Sequence, residues 1–86
     1  MRVTRSATRH GLSPADIRWA VDYAALTVDV ATHQPEAIMG ILHLGPARDG
    51  RMLEMLVIMN DAAEEVAIHA MAIRASYRRL LAEGSR

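Results

Sequence analysis

The sequence predicts an α+β fold: a small antiparallel sheet of about four strands with an N-terminal and a C-terminal helix. Three observations carry this expectation. Several runs alternate or are β-branched (Thr27–Thr32, Ala37–Leu44, Arg51–Asn60 and Val66–Ile73), as strands require. A strong turn signal, Gly45-Pro46-Ala47-Arg48-Asp49-Gly50, separates two of them. Helix signals flank the set on both sides, at Ser13-Pro14 and at Arg74–Glu83.

In chain order, residues 1–12 read as an irregular, flexible basic arm carrying Arg2, Arg5 and Arg9. The single domain is expected over 13–84. Ser13 can cap a helix, Pro14 suits its first position, and Asp16 falls in the first turn, where a negative charge favours the dipole. Ile17, Ala20, Val21 and Ala24 form one apolar stripe, and Trp19, Tyr23 and Leu26 a second. The helix is expected to end near Ala25. Strand Thr27–Thr32 follows, then a turn at His33-Gln34-Pro35-Glu36 and strand Ala37–Leu44. After the Gly45–Gly50 turn come strand Arg51–Asn60, a polar break at Asp61–Glu65, strand Val66–Ile73 and helix Arg74–Glu83, with Gly84 placed to close it.

One alternative is open at this level. Met52–Leu56 and Ala62–Ala72 are rich in Met, Leu, Ala and Glu, which are good helix formers. A helical hairpin from Met52 to Glu83 therefore competes with the sheet. Val57, Ile58, Val66, Ile68, Ile73 and the Asp-Gly signal favour the sheet. In that case alternation puts Met52, Glu54, Leu56 and Ile58 on one side, opposite Arg51, Leu53, Met55, Val57 and Met59. It likewise groups Ala67, His69, Met71 and Ile73 against Val66, Ile68, Ala70 and Ala72. Both faces are largely apolar, so both need a cover.

Composition narrows the function classes. The chain of 86 residues is 51% hydrophobic, more than so small an interior can hide. A partner or a second copy is expected over part of the surface. There is no cysteine, which excludes disulfides and thiolate metal sites and suits a reducing, cytoplasmic location. No apolar run approaches a membrane span, and the basic N-terminus lacks the apolar stretch of a secretory signal. Net charge is zero, so no global field draws the protein onto nucleic acid. All its basic residues are Arg, the side chain that grips phosphate or carboxylate with a fork.

The run GPARDGRMLEMLVI, a polar break, and VAIHAMAIRASYRRLL resemble small BrnT-like toxins of bacterial type II toxin–antitoxin systems, related to RelE-like ribonucleases. RHGLSPADIRWAV near the start fits the same pattern. The likeness extends from about His10 to Leu81 and is densest at Asp49-Gly50-Arg51 with Leu53-Glu54, and at Ile68-His69-Ala70-Met71 with Arg74 and Tyr77. The resemblance implies metal-independent RNA cleavage that arrests translation. It also implies a small antitoxin partner, of the kind that often carries a ribbon-helix-helix region, in a hetero-oligomer. The chain departs from typical BrnT-like sequences in lacking Lys and in carrying Ile-His-Ala-Met where a Ser-Ala-Arg-like segment is more usual.

Metal-free RNA cleavage needs a base, an acid and a cation near the phosphate. His69 can act as acid or base near neutral pH. Arg74 and Tyr77, three apart, share a helix face, and that helix start offers N–H groups to an anion. Glu54 is the odd residue on an apolar face and is expected to pair with an Arg, with Arg74 as the candidate. His69, Arg74, Tyr77 and Glu54 are thus the candidate catalytic residues. His10, Arg48, Arg51 and Arg78 are the candidate RNA contacts. His10, His33 and His43 lack metal-ligand spacing, so neither a metal nor another cofactor is expected. Gly45 and Gly50 read as turn glycines. The bland readings are a structural histidine at 69, a core Tyr77, a structural Glu54–Arg74 pair and solvated loop charges at Arg48 and Arg51. The other functional class is a non-catalytic interaction module, a homo- or hetero-oligomeric binding protein, and the low aromatic content of 3% favours it.

Overall fold

The structure, a computed structural model, describes residues 1–35 and 37–84. It has two helices and a five-stranded mixed sheet. The elements are β1 (Arg2–Val3), a 3₁₀ turn (Ser6–Thr8), α1 (Pro14–Asp22), β2 (Leu26–Val30), β3 (Ala37–Pro46), β4 (Met52–Asn60), β5 (Glu65–Ala72) and α2 (Ala75–Gly84). Strands β2 to β5 pair antiparallel in sequence order, and β1 adds parallel to β5 at the edge. Met52–Ala72 is extended rather than a helical hairpin. Helix propensity there is overridden by burial on both faces of a central strand.

Each face of the sheet packs under one helix. On the first, Leu53, Met55, Val57, Ala67 and Ala70 meet Ile17 and Ala20 of α1. On the second, Leu42, Leu44 and Ile73 meet Leu26, Val28 and Val30, with Tyr77 and Leu81 of α2 laid against them. Removing a side chain such as Ile17, fully buried, from water contributes roughly 1.5–3 kcal/mol.

Several expectations are corrected. The fifth strand comes from residues 1–12, expected as an irregular arm. Ala7 and Leu12 are buried in the core, and the Thr4 N–H donates to the Ala67 carbonyl at 3.0 Å. α1 stops at Asp22, short of Ala25, because the Ala25 N–H leaves the helix to pair with the Leu44 carbonyl at 2.8 Å. Trp19 and Tyr23 are exposed, their rings 4.4 Å apart, while Leu26 belongs to β2. Glu36 of the expected turn lies outside the described residues. Gly84 lies in α2, and the residues that follow it are outside the described ones.

The β5 faces also differ from strict alternation. Leu56 pairs with His69, but Val57 pairs with Ala67, so Ile68 is an extra, bulged residue. His69 and Ala67, expected on one side, therefore point to opposite faces. The bulge sends Ala67 and Ala70 under α1 and leaves His69 beside Glu54. The N-terminal segment braces it: the Ser6 hydroxyl donates to the Ile68 carbonyl at 3.0 Å, and the Thr4 hydroxyl to Ala67 at the same distance.

Gly50 is a turn glycine, with φ +90°. Gly45 is not. It lies in β3 with α1 directly over it, and a Cβ there would stand 2.5 Å from the Ala20 carbonyl oxygen and 2.8 Å from the Ala24 Cα. Both are backbone atoms, so the helix itself would have to move. Gly45→Ala is expected to destabilise the protein by about 1–3 kcal/mol, measured as a lowered urea midpoint. Gly50→Ala should act instead through turn strain.

Candidate active site at the β4–β5–α2 junction

Glu54 is the one charged residue among the described residues with a fully buried side chain. Strand β4 directs it onto the α2 face, opposite Leu44 and Met71. A carboxylate there must be paired to remain ionised. Arg74 supplies most of the pairing. Its backbone N–H donates to Oε1 at 2.9 Å, its Nε to Oε1 and Oε2 at 3.0 and 3.1 Å, and its Nη2 to Oε2 at 2.7 Å. The Nε2 of His69 completes the set, 3.1 Å from Oε2.

These contacts decide the charges. Burial acts to raise the Glu54 pKa, but the Arg74 side chain, the Arg74 N–H and His69 outweigh it, so the carboxyl titrates below its usual range. Hydrogen bonding to Glu54 raises the Arg74 pKa and holds it cationic. An ionised carboxylate only accepts, so the His69 Nε2 carries the hydrogen. In neutral His69 the lone pair is then on Nδ1.

The expected Glu54–Arg74 pairing is what the structure contains, and it changes the meaning of the helix start. The N–H that opens α2 already has its anion, the Glu54 carboxylate. Tyr77 lies one turn on, with the Arg74 guanidinium 5.2 Å from its ring centre. These groups line a cleft of about 410 Å³. Val30, Leu42 and Leu56 form its apolar wall, and Gln34 reaches it from the β2–β3 connection.

The other candidates divide. His10 comes to the site: its ring stands edge-on to His69, with centroids 5.9 Å apart. Arg78 is exposed on α2. Arg48 and Arg51 do not line the cleft. Arg48 pairs with Asp16 of α1 at 3.3 Å, beside Trp19. Arg51 folds back on Asp49, with Nε 2.7 Å from Oδ2. A hairpin tip ending in Asp49-Gly50-Arg51 satisfies its own charges, which sequence spacing alone does not reveal. Gln34 carries no signal in the sequence, because its approach depends on how the β2–β3 connection folds over the cleft. His43 belongs to the α1 face, opposite Met55, and burial lowers its pKa. Among the described residues, no three His, Asp or Glu side chains cluster as metal ligands would, and no helix is long and apolar enough to cross a membrane.

The chain matches no family model, and neither the curated proteins nor the solved structures include a significant match.

Because the folded-state Glu54 pKa is depressed, its contribution to stability is present above the unfolded carboxyl pKa and is lost as pH falls through the folded value. Glu54→Gln is therefore expected to cost about 1.5–3 kcal/mol at pH 7 and progressively less in acid. Urea unfolding of both proteins across a pH series measures this. A difference that stays constant down to the acid end would contradict an ionised Glu54.

Proposed function

We propose that the cleft under α2 binds RNA and cleaves it without a metal, and that the protein is the toxin of a type II toxin–antitoxin pair. The observation that carries this reading is the convergence of Arg74 and His69 on one fully buried carboxylate at the floor of an open cleft. Glu54 orients His69 and fixes its tautomer, the role a buried carboxylate plays for a catalytic histidine. Nδ1, with its lone pair, is then the base for a ribose 2′-hydroxyl. Arg74 has Nη1 left over after its contacts with Glu54. From there it meets a phosphate oxygen as charge builds. Tyr77 and the wall of Val30, Leu42 and Leu56 offer a surface on which a nucleobase can lie.

The exposed apolar surface supports an antitoxin partner. Ile38 is 66% exposed and Tyr23 59% exposed, with Trp19 and Met39 also uncovered. β2 is an edge strand. A short partner chain adding to that edge would cover part of this surface.

The same exposed residues favour the second reading, a non-catalytic module that pairs with another protein or another copy through them. The two readings separate by experiment. Expression of the chain alone is expected to arrest bacterial growth, and His69→Ala or Arg74→Ala to relieve the arrest in proteins that remain folded by circular dichroism. Loss of Arg74 is expected to reduce RNA cleavage by about 10²–10³-fold. Growth arrest that persists in both variants, or purified protein inert toward RNA at every salt concentration, would leave the interaction module as the better description.

A further inference from the structure

The rings of His10 and His69 meet edge to face. The segment that delivers His10 is held upstream by the Thr4 and Ser6 bonds to β5 and by buried Ala7. Downstream, the Gly11 N–H donates to the Thr8 carbonyl at 3.1 Å, and Gly11 takes φ +86°, turning the chain just after His10. An exposed imidazole is thereby fixed beside a half-buried one, 5.9 Å between centroids and 80° between planes. The two differ in their surroundings. His69 is tied to Glu54 through Nε2, with Arg74 on the same carboxylate. The His10 ring makes no hydrogen bond with a described residue, and the charged side chains of its own segment are Arg2, which pairs with Glu64, Arg5 and Arg9.

We propose that His10 and His69 act as an acid–base pair on a single RNA phosphodiester, with His69 as base and His10 as acid. This rests on the ribonuclease reading of the cleft and adds a catalytic residue to it. The separation is one that two hydrogen bonds of about 3 Å each can close on one phosphate group. His69 Nδ1 takes the proton of the 2′-hydroxyl, and the 2′-oxygen forms a bond to phosphorus. The bond from phosphorus to the 5′-oxygen breaks, its electron pair leaving on that oxygen, and protonated His10 donates the proton it needs. The products are a 2′,3′-cyclic phosphate and a free 5′-hydroxyl. Solvent then reprotonates His10 and removes the proton from His69. The Glu54 carboxylate holds His69 through Nε2 and leaves Nδ1 for the base step. His10 makes no such contact with a described residue, and its exposed ring is left to serve as the acid. The substrate class is set by the 2′-hydroxyl: RNA, not DNA.

The test compares two substrates of one sequence, an RNA oligonucleotide and the same oligonucleotide with sulfur replacing the bridging 5′-oxygen. A thiolate leaves without a proton, so the acid becomes unnecessary. His10→Ala is expected to lose on the order of 10²-fold or more on the RNA and little on the sulfur substrate, while His69→Ala loses on both. Wild-type cleavage of RNA should show a bell-shaped pH profile and a cyclic phosphate product, and His10→Ala should lose the alkaline limb of that profile. His10 is exposed, so circular dichroism of His10→Ala and His10→Gln should match wild type. Equal losses of His10→Ala on the two substrates, or undiminished RNA cleavage, would overturn the pair and leave the ribonuclease reading standing. A wild-type protein that cleaves neither substrate overturns both.

Discussion

The Glu54 carboxylate is the constraint on which this half of the molecule depends. A fully buried anion in a chain this small is costly unless it is ionically paired and hydrogen-bonded. The pairing draws on three elements: β4 carries the carboxylate, β5 brings His69, and the residue leading into α2 brings Arg74. Satisfying the charge therefore fixes where α2 begins and which side of β5 meets the cleft. Arg74, with its side chain about half exposed, seals the carboxylate from water without being buried itself.

The bulge at Ile68 is the second device, and it works with the first. A regular β5 would put Ala67 on the same side as His69. With the extra residue, small alanines pack under α1 while the imidazole stays beside Glu54. Bulges bend a strand and disturb its ladder. Here the disturbed carbonyls receive the hydroxyls of Thr4 and Ser6. The N-terminal segment thus repairs the irregularity that the site requires, and in doing so it brings His10 alongside His69.

The two faces of the sheet have divided their work. Close packing with α1, down to contact over Gly45, makes the first face a scaffold. The α2 face holds the charged cluster and the cleft. Apolar side chains left uncovered, Ile38 and Tyr23 above all, do not line that cleft. A partner there and a substrate in the cleft would be recognised by different physics, apolar burial in one case and charge with hydrogen bonding in the other.

Much of this was legible in the chain itself. Ser13-Pro14 announced α1, and the Ser13 hydroxyl does accept from the Asp16 N–H at 3.1 Å. Alternation in Met52–Asn60 put Glu54 opposite Leu53 and Met55, as observed, and a lone carboxylate on an apolar face pointed to an arginine. Local patterns of this kind are set by neighbours within a few positions. The tertiary structure decided the rest, because it turned on contacts between residues far apart in sequence. Ile68 bulges through pairing with a strand that begins sixteen residues earlier. Gly45 is a packing site because a helix crosses it, and β1 exists because β5 has a free edge. His10 meets His69 across most of the chain's length. Sequence spacing records periodicity along one element; it does not record which elements the core brings together.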